Sequence, residues 1–578
     1  MRNTKLNLLF FAGVMFFSMA VTGCDGKNAG TSGDVQAVDA IYTNATFFTE
    51  DEALPEASVM AVKDGKIVYV GDNADGFTGE TVDLGGAFVT PTFMDAHTHP
   101  GNVATTVWYE DMPADCDTKE EILDYVGDYC AKHPVSEIPY MYFEYYPSNL
   151  FDENGPRKEW IDEVVSDRPI LIEDFSDHAC WVNSKFLELL GVYEEGVVSA
   201  EDEPFFIKDD AGEYTGWIKE FVWKNYIDNL YTAINWSPDD SVSEENLLFT
   251  LKDFSKWGIT GVMDAIALDE NHVAVVSEMM KNGKWNGYYE LSVVMEEPDD
   301  LEETLDKIHN WEKTYGSDKC HIDTLKIFYD GTNELGDAAL IDGWITDPSQ
   351  KGYIMMSTEE TAHVIRRCNE EGIDVHFHMV GDLAFRQVMD ATEMLLDELG
   401  SLDIQVEVCH CEYVSPADYE RPGKLGVIVN WTPHWSGGYF GDGSLQYLGE
   451  ERYNNMYQFN PMIESGATVT FGSDIYSAYE EQRANPYFSM QIGMTRVDID
   501  CPMGMRESEA AKLSLSDLLK GYTINAAVQL GIDDRTGSLS VGKDASFNVF
   551  DTDLFAVDEF EFKDILPVAV YYEGKRID

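Results

Sequence analysis

Short apolar runs alternate with longer stretches of helix-like pattern through the middle of the chain. The candidate strands lie near residues 89–97, 259–264, 288–295, 323–329, 374–378, 406–410, 426–431 and 468–472. This alternation is typical of a parallel α/β architecture. Eight strands are the number that a closed barrel of β/α units requires. The pattern therefore predicts an α/β fold built on a (β/α)8 TIM-like barrel.

One further apolar run does not fit among the eight. The segment R-P-I-L-I-E-D-F at 168–175 would be a ninth strand, so we assign it to an insertion at about residues 101–250. This region is rich in aromatic residues, as in M-Y-F-E-Y-Y-P-S-N-L-F at 141–151, and is a candidate lid over a site. Such an aromatic stripe is more typical of a core than of a substrate wall.

The two ends of the chain carry short strand patterns separated by turn signals. Near the start, the turn residues K-D-G-K stand between alternating apolar residues and predict a β-hairpin. Near the end, G-S-L-S-V-G-K-D-A-S-F-N-V-F-D and V-A-V-Y-Y-E-G-K have the same character. Both ends are therefore expected to form β structure outside the barrel.

The first residues resemble an export signal. Arg2 and Lys5 precede an apolar run from residue 8 to 21, and V-T-G-C follows, ending at Cys24. This arrangement predicts a signal peptide at 1–23, a lipidated Cys24 and a flexible tether over 24–37. The predicted location is the cell envelope, as an exported lipoprotein that a lipid anchor holds at a membrane. A signal-anchor helix, or an ordinary signal with an incidental cysteine, is the alternative.

Charge and cysteine content limit the partners. The chain has 578 residues and a net charge of −67, which repels nucleic acid and anionic lipid head groups. We expect a small-molecule substrate and no nucleic acid, while the oligomeric state is open. Setting aside Cys24 leaves eight of the nine cysteines, whose spacing indicates neither a zinc finger nor a readable disulfide pairing.

The most informative segment reads V-T-P-T-F-M-D-A-H-T-H-P at 89–100. In an extended strand, side chains alternate between faces, which would place Phe93, Asp95, His97 and His99 on one side. Two neutral imidazoles at a strand end form a clamp for a divalent metal. Chance occurrence, or a histidine that satisfies a buried hydrogen bond, is the alternative.

This segment resembles the P-G-F-I-D-x-H-x-H signature of the metal-dependent amidohydrolases, with Thr92 in place of the usual Gly. Further motifs resemble amidohydrolase family 3 (YtcJ-like): D-H-A-C-W-V-N-S at 177–184, L-K-I-F-Y-D-G at 325–331, H-M-V-G-D at 378–382, C-H-C-E at 409–412 and F-G-S-D at 471–474. The resemblance covers about residues 38–578. It implies a barrel over 89–534 and a small β-sandwich domain that combines 38–88 with 535–578.

The resemblance also implies the metal ligands, which are His97, His99, Lys326, His378, His410 and Asp474. Zinc is the expected metal, in one or two copies, although manganese, iron or cobalt suit the same donors. Lys326 can bridge two metals only as a carbamate; otherwise it is an ordinary lysine that reaches a substrate carboxylate or a neighbouring acid. Cys409 and Cys411 are predicted to point away from the face of His410, into the core.

Three further residues are candidates for substrate contact: His178, Glu220 and His434. For each, a purely structural role is the alternative. His376 also belongs to a His-x-His pair, but H-M-V-G-D selects His378 as the ligand and leaves His376 beside the ligands or in the core.

The implied reaction is hydrolysis of an amide-like carbon–nitrogen bond, non-peptide or N-acyl, by a metal-activated water. Asp474 would take the proton of that water and pass it to the leaving nitrogen. An isomerase or deaminase on the same barrel is an alternative, as is a surface lipoprotein that binds a ligand without catalysis. No G-x-S-x-G, H-E-x-x-H or usable G-x-G-x-x-G motif supports another catalytic class.

Overall fold

A computed structural model gives the architecture of the chain. It describes residues 35–577, apart from 114–115, 117, 148–149, 152–154, 175–178, 239–240, 335, 439–440 and 501–510. The proposed signal peptide, the tether residues up to 34 and the candidate residues Cys24 and His178 therefore lie outside the described residues.

The strands fall in three sheets. In chain order they are β1 Gln36–Phe48, β2 Glu56–Lys63, β3 Lys66–Gly71, β4 Phe77–Pro91, β5 Phe93–Thr98, β6 Glu110–Asp111, β7 Met141–Tyr146, β8 Ile170–Asp174, β9 Ala179–Val182, β10 Phe206–Lys208, β11 Tyr214–Lys219, β12 Ile259–Asp264, β13 Tyr288–Met295, β14 Cys320–Phe328, β15 Asp374–Met379, β16 Val406–His410, β17 Ile428–Trp431, β18 Val469–Phe471, β19 Phe547–Phe550, β20 Ala569–Tyr572 and β21 Lys575–Arg576.

Helices alternate with the strands of the central sheet and also occur among the strands of the insertion. They are α1 Pro100–Thr106, α2 Lys119–Lys132, α3 Lys158–Val164, α4 Ser184–Leu190, α5 Ile227–Ile234, α6 Glu244–Lys256, α7 Glu270–Lys281, α8 Leu301–Tyr315, α9 Thr358–Glu371, α10 Asp382–Leu399, α11 Arg421–Leu425, α12 Gly441–Asn454, α13 Phe459–Glu464, α14 Glu481–Ala484, α15 Pro486–Thr495, α16 Leu515–Tyr522 and α17 Ile524–Gln529. Local sequence sets their ends: Ser357 and Glu360 form a capping box before α9, and Gly372 ends that helix in the left-handed conformation.

The central sheet has eight parallel strands in the order β18-β17-β16-β15-β14-β13-β12-β5. Each of the eight predicted runs overlaps one of these strands. The sheet curls into a nearly closed barrel: beyond the end of β18, the backbone N–H of Asp474 donates to the carbonyl of His97 on β5 at 2.9 Å. The largest apolar core includes residues from the strands and from the helices that cover them, such as Val408 and Val388. The predicted α/β barrel is confirmed.

Strands from both ends of the chain share one sheet of seven, in the order β21-β20-β19-β4-β1-β2-β3. The predicted hairpin joins β2 to β3, and Asp64 and Gly65 supply the two positive φ angles, 51° and 76°, that its tight turn requires. Because hydrogen bonds join all seven strands in a single sheet, a sandwich of two facing sheets is not confirmed.

The insertion has a sheet of its own, with six strands in the order β10-β11-β9-β8-β7-β6. The run at 168–175 forms β8 here, outside the barrel as predicted. Tyr142 and Phe143 on β7 are buried in two apolar clusters of the insertion, so these residues of the aromatic stripe belong to the core.

Within the described part of the chain, no helix combines the length and apolar character needed to cross a membrane. The seven cysteines among the described residues are all free thiols. The domain limits and the lipid anchor stay predictions.

Candidate active site

Five barrel strands bring six predicted ligands to one end of the barrel. They are His97 on β5, His99 just after it, Lys326 on β14, His378 on β15, His410 at the end of β16 and Asp474 after β18. The carboxyl ends of parallel strands meet at one edge, where barrels of this type place their chemistry. The structure therefore gathers residues that are 377 positions apart in the sequence, from His97 to Asp474.

Asp474 lies at the centre of this cluster. Its Oδ1 is 2.8 Å from His99 Nε2 and 3.3 Å from His97 Nε2, and its Oδ2 is 3.4 Å from His410 Nδ1. The ring centres of His378 and His410 are 4.5 Å apart. The Asp474 carboxylate thus contacts the imidazoles of His97, His99 and His410, and the His378 ring packs against that of His410.

The backbone is strained at two of these residues. His410 has a φ of 70° and Asp474 a φ of 52°, in the left-handed region that non-glycine residues rarely adopt. Hydrogen bonds hold both turns: the N–H of Cys411 donates to Met379 O at 2.8 Å, and that of Asp474 donates to His97 O at 2.9 Å. Strain of this kind persists where the surroundings enforce it, typically at functional sites.

The predicted direction of the Cys409 side chain is wrong, although the residue is buried as predicted. Its thiol lies inside the barrel, where the Lys326 ammonium donates to Sγ at 3.6 Å, and close to His97 and His376. Strand alternation would put His410 on the opposite face, but the left-handed turn at His410 rotates the end of the strand and brings both residues to the site. Cys411 does lie in the core, as predicted, and its carbonyl accepts from the Trp431 indole.

The side chains of β5 do not share a single face either. Phe93 packs on Tyr487 and Tyr522 of the surrounding helices, at 5.8 and 6.2 Å between ring centres. His97, in contrast, contacts residues inside the barrel. The pairing of β5 with β12 shifts register twice between residues 93 and 98, and such irregularities interrupt the alternation of faces.

His376 lies directly behind His97. His376 Nε2 is 2.7 Å from His97 Nδ1, and His376 Nδ1 is 2.6 Å from Glu407 Oε2. Gln529, at the end of α17, donates from Nε2 to the same carboxylate oxygen at 3.1 Å. Sequence reasoning missed Glu407 and Gln529. The signal for Glu407 was an acidic residue inside the apolar strand V-E-V-C-H.

Burial makes these imidazoles weak bases. It lowers the pKa of His97 to about 4 and that of His378 to about 3, and the positive charge of Lys326 adds to the effect. Burial, together with His378, also holds the pKa of His410 well below its usual value. Neutral imidazoles have free lone pairs at neutral pH, which metal binding requires.

Asp474, unlike the imidazoles, is held in its charged form. Burial alone would raise its pKa, but the neighbouring His97 and His410, together with the hydrogen bond from His99, hold that pKa well below its ordinary value. The carboxylate is therefore ionised at neutral pH and supplies the negative charge that a cation needs.

The residues present fit a divalent metal. His97 Nε2 is buried and lacks a hydrogen-bond partner among the described residues, although it lies near Asp474 Oδ1. A buried polar atom without a partner is unfavourable unless a ligand satisfies it. Two imidazole nitrogens that converge on a carboxylate oxygen form a donor set typical of zinc.

The candidate substrate residues have different positions. His434, in the short helix Pro433–Gly437 after β17, is buried, and its Nδ1 is 3.1 Å from Ser489 Oγ. Its neighbour Trp435 stacks on His410, so this segment borders the cluster. Glu220 is half-buried and follows β11 of the insertion. Contact of either residue with substrate stays a prediction.

Several known proteins resemble this chain. Putative amidohydrolase YtcJ of Bacillus subtilis is 25% identical over 83% of this chain and 87% of its own length. N-substituted formamide deformylase of Arthrobacter pascens is 24% identical over 93% of this chain and 98% of its own length.

Solved structures show the same fold. The crystal structure of an uncharacterized metal-dependent hydrolase from Pyrococcus horikoshii OT3 covers 90% of this chain and 99% of its own, with a TM-score of 0.67 and 21% identity. The model of the amidohydrolase family matches residues 80–578, which is most of the chain. The chain belongs to the amidohydrolase family.

Proposed function

We propose that this protein is a metal-dependent hydrolase that cleaves an amide-like carbon–nitrogen bond, non-peptide or N-acyl, in a small molecule. The observation that carries the proposal is the contact of Asp474 with three imidazoles at the carboxyl end of a parallel barrel. The name of the deformylase relative, which refers to N-substituted formamides, supports an amide-like bond.

The candidate ligands form two groups, each of which would hold one metal ion. His97, His99 and Asp474 would hold one ion, and His378 and His410 would hold a second if Lys326 is carboxylated and bridges the two. Zinc suits these donors best. When bound, the metal lowers the pKa of a water toward neutrality and polarises the substrate carbonyl.

The protein supplies the proton transfers. The Asp474 carboxylate, whose pKa is held low, accepts the proton of the attacking water at a δ-oxygen and delivers it to the leaving nitrogen. His97 and His99 fix the orientation of this carboxylate through contacts to Oδ1. A proton carrier that is held in place loses little freedom in the transition state.

The position in the cell is proposed from the first residues alone. Cleavage before Cys24 and lipidation of its thiol would anchor the mature protein at a membrane, with residues 24–37 as a tether. Mass spectrometry of the N-terminal peptide from purified protein tests this proposal. An unmodified Cys24, or cleavage at another bond, contradicts it.

Metal content per chain tests the site. Protein is purified without chelator and with bicarbonate, and wild type, Lys326→Ala and the surface control Lys252→Ala are compared by atomic emission. Two metals that fall sharply only in Lys326→Ala support a carboxylated lysine. One metal that survives the change gives a mononuclear site. Absence of metal from the wild type overturns the proposal and favours a ligand-binding lipoprotein.

A further inference from the structure

Three aromatic side chains border the imidazole cluster. The Phe328 ring centre is 5.5 Å from that of His378, the Trp435 ring centre 5.4 Å from that of His410, and the Tyr476 ring centre 5.9 Å from that of His99. Trp435 stacks on its imidazole at an interplanar angle of 25°. The three rings come from three different barrel segments, and we call them the aromatic collar.

Two rings of the collar are exposed and the third is partly exposed, unlike the aromatic residues behind them. Phe328 is 38% exposed and Tyr476 is 41% exposed, while Trp435 is partly buried. Their neighbours Tyr329 and Trp431 are fully buried in the core. A group of apolar rings at the surface, beside a few converging polar side chains, is typical of a ligand-binding site.

Strand geometry explains the position of Phe328. It lies two residues after Lys326 on β14, so the two side chains share one face of the strand. Lys326 is buried inside the barrel, with Nζ 5.2 Å from the Phe328 ring centre. The face that carries the site lysine therefore continues outward to an exposed ring at the barrel mouth.

The chemistry of the collar selects a flat apolar group. Its rings have large π-faces, which favour another aromatic ring in stacked or edge-to-face contact. The net charge of −67 disfavours an anionic ligand. Because every ring centre lies within 6 Å of an imidazole centre, a group held by the collar must be close to the reacting bond.

We propose that the substrate carries an uncharged aromatic ring within a few bonds of the scissile carbon–nitrogen bond, and that Phe328, Trp435 and Tyr476 bind this ring. The inference rests on the proposed hydrolase function, since it places the reacting bond at the imidazole cluster. It adds the substrate class that the motifs alone did not indicate.

Binding of three hydroxamates to the metal-loaded protein tests the proposal by calorimetry. Acetohydroxamate carries the metal-binding group alone, phenylacetohydroxamate adds a flat ring, and cyclohexylacetohydroxamate adds a ring of similar size that is not aromatic. The phenyl probe should bind about tenfold tighter than acetohydroxamate, or more, because burial of the ring is favourable. It should also bind a few-fold tighter than the cyclohexyl probe.

Variants assign the preference to the collar. Phe328→Ala and Tyr476→Ala should each reduce the phenyl preference about threefold or more, as expected for the loss of one aromatic contact. Phe328→Leu retains the bulk without the aromatic face and should give an intermediate loss. Phe560→Ala, which removes an exposed ring far along the chain, should leave the preference unchanged.

The outcomes separate the two proposals. If acetohydroxamate binds but the phenyl probe gains nothing, or gains no more than the cyclohexyl probe, the aromatic inference is wrong and the metal site stands. An unchanged phenyl preference in Phe328→Ala and Tyr476→Ala also overturns it. If no probe binds protein that contains metal, both the hydrolase proposal and the inference fail.

Discussion

The site depends on two residues with unusual backbone angles. Asp474 and His410 adopt left-handed φ angles, and these turns let one carboxylate reach three imidazoles from two separate segments. Such conformations are unfavourable for side chains with a β-carbon, by about 1–3 kcal/mol each. The hydrogen bonds from the N–H groups of Cys411 and Asp474 to neighbouring strands offset this strain.

Replacement of Asp474 tests its role in proton transfer. We expect Asp474→Asn to lower turnover at least about 100-fold, because an amide of the same shape cannot accept a proton at neutral pH. The fold should be retained, since the backbone N–H that bonds to His97 O is unchanged. Turnover of a substrate from an amide panel and circular dichroism check both parts. Full activity in this variant would show that another group carries the proton.

A second residue-scale prediction concerns the chain from His97 through His376 to Glu407. For His97 to bind metal through Nε2, its proton must be on Nδ1 and donate to His376 Nε2 at 2.7 Å. His376 must then hold its own proton on Nδ1 and donate to Glu407 at 2.6 Å. We expect Glu407→Gln to weaken metal affinity about tenfold, because replacement of the hydrogen-bond partner behind a metal-bound histidine typically has an effect of this size.

Competition with a chelator measures this affinity without any substrate. Glu290→Gln is the matched control, because Glu290 is also a buried barrel carboxylate but accepts its hydrogen bond from Thr324. Equal metal affinity in the two variants would show that Glu407 does not orient His97.

Sequence patterns located the six candidate ligands, because each belongs to a short motif at a strand end. They did not predict which side chains turn inward. Alternation failed at Cys409 and along β5, where a left-handed residue and register shifts change the direction of the strand. Long-range partners such as Gln529, which reaches Glu407 from α17, have no local signal at all.

At the scale of elements, hydrogen bonds to the Asp330 side chain stabilise the loop after β15. The Asp330 carboxylate accepts from the N–H groups of Val380 at 2.8 Å, Gly381 at 2.9 Å and Ala339 at 3.0 Å. These bonds fix the chain just beyond His378. The D-G and H-M-V-G-D motifs thus have a structural role as well as a place in the site.

Gly381 has no room for a side chain. A β-carbon there would lie 2.1 Å from the carbonyl oxygen of Ala339, which is backbone and cannot move independently. We expect Gly381→Ala to destabilise the protein by about 1–3 kcal/mol, as overpacking does, and to lower its thermal midpoint.

Gly127→Ala is the control for this prediction. Gly127 lies in α2, where an added β-carbon would make only an ordinary contact of 3.5 Å with Val164, and alanine favours helix. Differential scanning calorimetry of both variants checks the prediction. Equal midpoints for Gly381→Ala and wild type would mean that the loop yields without strain.

The elements themselves were largely predictable. Buried parallel strands read as continuous apolar runs, so all eight barrel strands were found, and the ninth run was correctly excluded. The predicted β-sandwich is not confirmed, because the pairing of β4 with both β1 and β19 joins the two ends of the chain in one sheet. Such non-local pairing is set by the tertiary structure and leaves no periodic signal.

At the scale of the whole molecule, the chain combines a net charge of −67 with several carboxyl groups that are buried. Burial raises the pKa to about 7 for Glu50 near the terminal sheet, for Glu173 in the insertion and for Asp330 in the barrel. The buried histidines of the site shift in the opposite direction. The pH dependence of wild-type stability therefore combines opposing contributions, and one group must be isolated by a variant.

The contribution of Glu173 to the pH dependence of stability can be isolated in this way. Glu173 lies in the sheet of the insertion and accepts a hydrogen bond from the Tyr142 hydroxyl. Its pKa is about 7 in the folded protein and 4.5 in the ordinary state, so the folded protein retains a proton that the unfolded chain has released between these values. Stability from this group is fully present below about pH 4.5 and is lost as pH rises through about 7. The loss is about 1.4 kcal/mol per pH unit inside that window.

Glu173→Gln removes this titration while the side chain keeps its shape and an acceptor for Tyr142. We expect the thermal midpoint of the variant, relative to wild type, to rise between pH 5.5 and pH 8, because only wild type must ionise a buried carboxyl. Glu195→Gln, at an exposed position, is the control and should show no such trend. Contributions from the histidines and from the net charge are nearly the same in all three proteins and cancel in the differences. A relative midpoint that stays constant with pH would place the Glu173 pKa near its ordinary value and contradict the burial argument.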